Sequence, residues 1–149
     1  MNSDFNELLR IFNEKQVKYL VIGGYAVMKY AEPRFTKDLD ILIWADPENA
    51  KLVYSALVEF GAPLSGLSEA DFTKEEWFYQ MGRPPARIDI LMSIDGVRFE
   101  SAWDNRVNTD IDGVPTHIIS KQDLIIAKRA AGRPQDLIDV ESLILSETK

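Results

Sequence analysis

The chain has 149 residues, 46% of them hydrophobic, which is enough for one compact domain with a sizeable core and too little for two full domains. Seventeen basic and 24 acidic side chains give a formal net charge of −7, and this disfavours an extended nucleic-acid-binding surface, which must be basic. The chain has no cysteine, no signal-like N-terminus and no apolar run of about 20 residues, so we exclude disulfides and thiolate metal sites and expect a soluble, cytoplasmic protein without a membrane span.

The first half of the chain predicts one helix followed by two strand-and-helix pairs. Apolar residues recur at helical spacing in the helices and form short continuous runs in the strands. In chain order, the elements are an amphipathic helix capped by Ser3-Asp4, a buried strand at 19–22, a helix that starts at Gly23-Gly24 and ends before Pro33, a strand at 39–44, and a helix from Asp46-Pro47 to Gly61.

The second half predicts two hairpins and two helices. Residues 77–81 and 87–92 have strand propensity and flank a proline-rich turn, and residues 107–111 and 114–119 flank Asp112-Gly113, a strong hairpin signal. Ser120 caps a helix that Gly132 ends, and a final apolar periodicity marks the last helix. The order predicts an α+β fold over residues 1–149, with a core at about 1–95 and a hairpin and C-terminal helices at about 96–149.

Three aspartates lie inside apolar, strand-like runs. Asp38 and Asp40 are two residues apart and therefore share one face of a strand, and Asp89 repeats the pattern in Arg87-Ile88-Asp89-Ile90. Carboxylates held this close in a partly desolvated cleft repel each other unless a cation, hydrogen bonds or protonation compensates. A hard divalent metal with oxygen ligands is the usual compensation, so the three acids suggest a metal site.

The glycine pair and the acids together carry a family resemblance. Gly23-Gly24, thirteen intervening residues, Asp38-Leu39-Asp40-Ile41 and later Ile88-Asp89-Ile90 resemble the signature of the DNA polymerase β-like nucleotidyltransferase superfamily over roughly the first 95 residues. The version with Arg34-Phe35-Thr36-Lys37 ahead of the acids looks most like the small prokaryotic group that includes abortive-infection toxins and antibiotic nucleotidyltransferases. The resemblance implies a mixed β-sheet flanked by helices, with C-terminal helices.

The resemblance also implies roles for the acids and the glycines. Asp38, Asp40 and Asp89 would be the catalytic residues and the ligands of Mg²⁺ or Mn²⁺, with Asp89 nearer the acceptor or acting as its base. The alternative for all three is an ordinary strand-end or capping role. Gly23 and Gly24 would let backbone N–H groups approach a phosphate at a helix N-terminus, and their alternative is a plain tight turn.

Basic residues on two segments are further candidates for nucleotide binding. Arg34 and Thr36 precede the acid pair and could hold phosphate or orient the aspartates, whereas Lys37 is equally well explained as a solvated lysine. Lys128 and Arg133, followed by Asp136 and Asp139, are similar to a lysine–arginine–aspartate helix pattern of the toxin group. Ion pairing on the helix surface explains Lys128 and Arg133 equally well.

Other side chains that could act in catalysis or binding are better explained by structural roles. His117, the only histidine, alternates within a strand-like run and is more typical of a structural histidine than of a general base. Trp77, Phe78 and Tyr79 could stack on a nucleobase, but aromatic strand residues more often belong to the core.

The pattern as a whole predicts an enzyme that moves a nucleoside monophosphate from a nucleoside triphosphate such as ATP to a hydroxyl or phosphate and releases pyrophosphate. The acceptor, whether a small molecule, an RNA end or a protein, is not readable from these residues. The alternatives are a nucleotide-binding regulatory or toxin–antitoxin component with little turnover and a cognate antitoxin, or a structural module. The intact acids argue against the module, and the absence of a Gly-x-x-x-x-Gly-Lys-Ser/Thr loop argues against a P-loop kinase or ATPase.

Overall fold

The structure, a computed structural model, describes residues 2–31, 38–84 and 86–146. Within these ranges the chain forms six α-helices, six β-strands and one short 3-10 helix at Glu69–Thr73. The helices are α1 (Ser3–Glu14), α2 (Gly23–Tyr30), α3 (Pro47–Phe60), α4 (Phe99–Asp104), α5 (Lys121–Ala131) and α6 (Pro134–Leu145). The strands are β1 (Tyr19–Ile22), β2 (Asp38–Ile43), β3 (Phe78–Met81), β4 (Arg87–Leu91), β5 (Val107–Ile111) and β6 (Val114–Ile118).

The strands form one mixed sheet in the order β3-β4-β2-β1-β6-β5. β2 pairs with β4 and β1 pairs with β6 in parallel, and the other three pairings are antiparallel. The predicted α+β fold with a mixed sheet is confirmed, and so are the two predicted hairpins, β3–β4 and β5–β6. The second hairpin joins the same sheet beside β1, so the N-terminal elements and the C-terminal hairpin share one sheet.

The period of two along β2 separates a buried face from a cleft face. Leu39, Ile41 and Ile43 are fully buried, and the fully buried ring of Tyr19, paired in register with Ile43, contacts Phe12 of α1 at 5.6 Å between ring centroids. Asp38 and Asp40 alternate with these residues and are only partly buried. The core under α1 and α3 therefore anchors the strand and turns its acids to the other face, on the side of α2, α5 and α6.

Local capping explains where two of the helices begin. The Asp46 carboxylate accepts hydrogen bonds from Glu48 N at 3.1 Å and Asn49 N at 3.4 Å, and α3 ends at Gly61, which has a φ of +90°. This confirms both predicted ends of α3. At α1 the cap is Asn2, whose Oδ1 accepts from Asp4 N at 2.7 Å, rather than the predicted Ser3-Asp4.

Two short elements in the middle of the chain had no sequence prediction. The 3-10 helix holds Phe72, which is fully buried against Tyr54, Trp77 and Tyr79, and α4 holds Phe99, which stacks on Trp103. Each element is too short for helical periodicity to be visible, so tertiary packing of one aromatic anchor defines it. The predicted helix end at Pro33 lies outside the described residues. Across the described ranges, no helix combines the length and the apolar character needed to cross a membrane.

Candidate active site

The parallel pairing of β2 and β4 brings the three predicted acids together. Asp40 is in register with Asp89, and Asp38 is in register with Arg87, so all four side chains lie on one face of two adjacent strands. We call these four residues the strand cluster. Nothing in the linear sequence specifies this pairing, because 48 positions separate Asp40 from its partner on β4.

The strand cluster lines a cleft of about 600 Å³. The floor is the β1–β2–β4 face, one wall is the start of α2 with helices α5 and α6, and the opposite wall is the edge strand β3 with the segment after β4. The residues that contribute side chains or backbone to this cleft outside the strand cluster are Ile22, Gly23, Phe78, Leu91, Ser93, Ile94, Asp95, Leu124, Ala127, Lys128, Ala131, Arg133 and Asp136.

Arg87 pairs with two of the three acids, and it was not among the site residues predicted from the sequence. Its Nη2 lies 2.8 Å from Asp38 Oδ2 and 3.4 Å from Asp89 Oδ2. The sequence did contain a signal, because Arg87 lies two residues before Asp89 and must share its strand face. Three carboxylates and one guanidinium leave the cluster with an excess of negative charge.

The charges of the strand cluster act strongly on the pKa of Asp40. Burial, followed by the charge and hydrogen bond of Asp89 and the charge of Asp38, raises the pKa of Asp40 from 3.8 to about 6, and the charge of Arg87 opposes this only in part. A carboxylate whose ionised form is this unfavourable in a cleft marks a position where charge compensation is incomplete.

The donor set fits a hard divalent cation, although the oxygens are not gathered around a common point. Asp38 Oδ1 and Asp89 Oδ1 are buried without a hydrogen-bond partner among the described residues. Carboxylate oxygens are the ligands that Mg²⁺ and Mn²⁺ prefer. Still, within the ranges that the structure describes, no three acid, histidine or cysteine side chains are already grouped as a metal-binding set. An ion would therefore have to draw the carboxylates together and away from Arg87.

Gly23, the first residue of α2, lies against the side chain of Asp40 on β2. Its φ is +68°, a left-handed conformation that favours glycine, and a Cβ at this position would lie 2.1 Å from Asp40 Oδ2. Gly24 follows in the first turn of α2 and is buried. The glycine pair thus combines a tight strand-to-helix turn with close backbone approach to the acid side chain.

Lys128 and Arg133 lie on the helix wall of the cleft within a network of ion pairs. Lys128 Nζ is 2.9 Å from Asp139 Oδ2 and 3.5 Å from Asp136 Oδ1, and Arg133 Nε is 2.7 Å from Asp136 Oδ2. We call these four residues the helix cluster. The ion pairs of the structural alternative are present, and Lys128 and Arg133 also line the cleft, so their contact with phosphate stays a prediction.

The remaining candidates divide between core and cleft. Tyr79 is buried and donates its hydroxyl to Pro63 O at 2.7 Å, and Trp77 packs against Phe72, which agrees with a core role. Phe78, in contrast, is 54% exposed and lines the cleft opposite Leu91. His117 does not line the cleft. It contacts Tyr19 and Trp103, and its Nδ1 lies 2.6 Å from Asn108 Oδ1. The predicted sites Arg34 and Thr36, and Lys37, lie outside the described residues.

Residues 2–148 match the family described as nucleotidyltransferase of unknown function (DUF6036). No curated protein matches the chain. Among solved structures, it is similar to the lincosamide antibiotic adenylyltransferase LnuA bound to lincomycin, with 14% identity, a TM-score of 0.56, and coverage of 97% of this chain and 96% of that one.

Two further solved structures are similar at the same level. The antibiotic-resistance factor ANT(2'')-Ia is 13% identical, with a TM-score of 0.58 and coverage of 98% of this chain and 82% of that one. An antigenic nucleotidyltransferase-like protein from Paracoccidioides brasiliensis is 14% identical, with a TM-score of 0.57 and coverage of 95% and 72%. At this level of identity, all three comparisons support the fold.

Proposed function

The chain belongs to the nucleotidyltransferase family DUF6036, and from that premise we propose that it uses Mg²⁺ or Mn²⁺ to transfer a nucleoside monophosphate from a nucleoside triphosphate to an acceptor hydroxyl or phosphate, with release of pyrophosphate. The observation that carries the proposal is the strand cluster: three acids on one face of two paired strands, with buried oxygens that lack partners among the described residues.

The donor triphosphate occupies the wall formed by α2 and the helix cluster. Gly23, the first residue of α2, lines the cleft, and the N-terminus of a helix offers unpaired backbone N–H groups and the positive end of the helix dipole to a phosphate. Arg133 is the basic side chain best able to reach phosphate from the rim, because 77% of its side chain is exposed while it remains hydrogen-bonded to Asp136. Arg34 and Thr36 remain candidates for the same role on the segment before β2.

Asp38, Asp40 and Asp89 hold the divalent metal. Bound there, the metal supplies neutralisation of the triphosphate and stabilisation of the attacking and leaving oxygens. The paired strands keep the backbones of Asp40 and Asp89 in register, which limits the movement that the acids need. Asp89 lies on the β4 side, toward the edge strand, and there it orients the acceptor and accepts its proton.

The acceptor occupies the opposite wall of the cleft, beside β3. Phe78 and Leu91 face each other across the β3–β4 pair and both line the cleft, so the acceptor meets apolar surface next to the acids. LnuA is a lincosamide adenylyltransferase, and ANT(2'')-Ia has been solved in complex with adenylyl-2''-tobramycin. These neighbours make small hydroxylated molecules the first acceptors to test, ahead of an RNA end or a protein.

The second candidate is a nucleotide-binding component with little turnover, such as the toxin of a pair with a cognate antitoxin. The observation that favours it is the pairing of Arg87 with Asp38 and Asp89, because acids engaged with a guanidinium are not poised for a metal. The two candidates differ in turnover and share nucleotide binding.

The deciding experiment uses ATP, GTP, CTP and UTP labelled at the α- or the γ-phosphate, with Mn²⁺ and with lincomycin, tobramycin, RNA and protein pools as acceptors. We expect α-label on an acceptor and labelled pyrophosphate from the γ-labelled donor. Recovery of γ-label on an acceptor would exclude nucleotidyl transfer. Tight, metal-dependent triphosphate binding without transfer to any acceptor would favour the second candidate.

Calorimetry tests the metal assignment independently of the acceptor. We expect triphosphate affinity to depend on Mn²⁺ in the wild-type protein and to lose that dependence in the double variant Asp38→Ala, Asp40→Ala. Equal affinities in all four conditions, in a folded variant, would show that these acids do not hold the metal.

A further inference from the structure

Arg87 occupies a position that differs from that of the other cleft cations. It is in register with Asp38 on the neighbouring parallel strand and lies two residues before Asp89, so the backbone itself places a guanidinium among the three acids. Arg133 approaches the cleft from the rim, and Lys128 is held in the helix cluster. Of the cleft cations Arg87, Lys128 and Arg133, Arg87 is the one paired with the proposed metal ligands.

The contacts of Arg87 are incomplete. Nη2 bridges Asp38 Oδ2 at 2.8 Å and Asp89 Oδ2 at 3.4 Å, and the longer of these is at the limit of a useful hydrogen bond. The second oxygen of each acid and Nε of Arg87 are buried without hydrogen-bond partners among the described residues. A fork-to-fork pairing of guanidinium and carboxylate would use these atoms, so the observed bridge is weaker than the chemistry of the two groups permits.

The geometry points to Arg87 as a resident counter-ion: it bridges Asp38 and Asp89 in the metal-free protein and releases them when the divalent cation binds. The inference rests on the metal-dependent function proposed above. Arg87 is thereby a positioning residue, since it fixes two metal ligands in a defined resting geometry.

Physical reasons favour movement of the arginine rather than of the strands. The backbones of Asp38 and Arg87 are fixed by strand pairing, whereas the guanidinium ends a flexible side chain that is 35% exposed toward the cleft. A divalent ion and a guanidinium on the same two carboxylates repel each other, and this repulsion grows in a partly desolvated site. The metal therefore competes with Arg87 for the two carboxylates, and removal of the guanidinium should raise the affinity of the site for the metal.

The experiment compares Arg87→Met, which keeps the stem and removes the charge, with Arg87→Lys and with the control Arg83→Met in the exposed turn before β4. Thermal melting is measured in EDTA and in Mn²⁺, and Mn²⁺ affinity is measured by electron paramagnetic resonance of the free ion. In EDTA we expect Arg87→Met to melt about 4 °C below wild type, because the acids lose their counter-ion. Its Mn²⁺ affinity should rise about 10-fold, because the metal no longer competes with the guanidinium, and addition of Mn²⁺ should raise its melting temperature by more than that of wild type. Arg87→Lys should give a melting temperature and an Mn²⁺ affinity between those of wild type and Arg87→Met, and Arg83→Met should match wild type in both.

The outcomes separate this inference from the proposed function. If wild type does not bind Mn²⁺, the metal-dependent function fails and the inference fails with it. If wild type binds Mn²⁺ and Arg87→Met binds it equally or more weakly, the inference fails alone. A loss of ATP affinity in Arg87→Met with unchanged melting in EDTA would instead make Arg87 a phosphate ligand and overturn the inference.

A measurement on the wild-type protein covers the case in which Arg87→Met does not fold. Arginine-selective ¹⁵N NMR, assigned with Arg87→Lys, reports restricted rotation of a paired guanidinium. We expect the Arg87 signal to show that restriction in EDTA and to lose it as Mg²⁺ is added. A signal that Mg²⁺ leaves unchanged, at concentrations that bind by calorimetry, contradicts the release of Arg87.

Discussion

The strand cluster and the helix cluster border the same cleft, and each combines buried carboxylates with cations, yet their charges are matched very differently. In the helix cluster, Asp136 and Asp139 have side chains only 4% exposed, and each contacts a cation within 3 Å. Although burial alone raises the pKa of Asp136, the hydrogen bonds and charge of Arg133, with Lys128, outweigh burial and lower it. In the strand cluster, the pKa of Asp40 moves the other way, to about 6.

The difference shows how a structural group of buried charges can be distinguished from a functional one. Matched charges hold α5 to α6, whereas the strand cluster keeps an excess of negative charge and an acid whose ionisation costs stability. A site that binds an added cation requires negative charge that the protein's own cations leave uncompensated and that the fold tolerates. The following predictions test this contrast, in order of decreasing effect.

Asp40→Asn should have opposite effects on activity and on stability. We expect transfer to fall by at least about 10³-fold, because a proposed metal ligand is lost. The folded pKa of about 6 lies above the unfolded value of 3.8, so Asp40 favours the folded state below about pH 4, and this contribution is lost as the pH rises to 6. In EDTA at pH 7.5, the amide should therefore raise the free energy of unfolding by roughly 1–3 kcal/mol.

Urea unfolding at pH 7.5 and pH 4 measures this gain, which should be smaller at pH 4. The matched control is Asp139→Asn in the helix cluster, which should destabilise the protein because Lys128 loses its nearest partner. A decrease in stability for both variants at pH 7.5 would remove the distinction between the two clusters.

Lys128→Met should destabilise the protein by about 3 kcal/mol, because two buried carboxylates lose their shared cation. The neighbouring Arg129→Met is the control, since Arg129 is exposed on the same helix, and its effect should stay within about 0.5 kcal/mol. Urea unfolding in EDTA compares the two. Equal, small losses would indicate that the ion pairs of the helix cluster contribute little, and would leave Lys128 available for phosphate.

Gly23→Ala should cost about 1–3 kcal/mol of stability and also weaken metal-dependent triphosphate binding. The new Cβ would require Asp40 Oδ2 to move from its position 2.1 Å away. Gly113→Ala is the matched control, because Gly113 also has a positive φ, +81°, but a Cβ there contacts nothing within 4 Å. Calorimetry and urea unfolding should give a similar backbone penalty in both variants and a binding defect only at Gly23. A binding defect of equal size at Gly113 would refute the role of the close contact.

Phe78→Ala should have the smallest effect on stability, within about 0.5 kcal/mol, because the side chain is already 54% exposed. Its effect should be on the acceptor: a KM several-fold higher for the acceptor found in the labelling experiment, with unchanged affinity for the triphosphate. Val58→Ala, at 58% exposure on α3, is the control and should change neither quantity. An increase confined to the KM of the triphosphate would indicate that Phe78 contacts the donor and not the acceptor.

Strong local patterns made much of the fold predictable. The helix α3, with a capping Asp46 and a terminal Gly61, and the Asp112-Gly113 hairpin were expected from residues within a few positions of each other. The two short aromatic-anchored elements were not, because each is defined by the burial of one aromatic side chain, Phe72 or Phe99, in the core and not by a repeating local pattern.

The face of β2 that carries the acids was predictable from local residues, because the period of two is local: a strand with Leu39 and Ile41 in the core must turn Asp38 and Asp40 to the other side. The position of β4 beside β2 and the register of this pair were not predictable in the same way, since strand pairing depends on contacts across the whole chain. That register brings Asp89 beside Asp40 and Arg87 beside Asp38, and it determines how far the charges of the site are compensated.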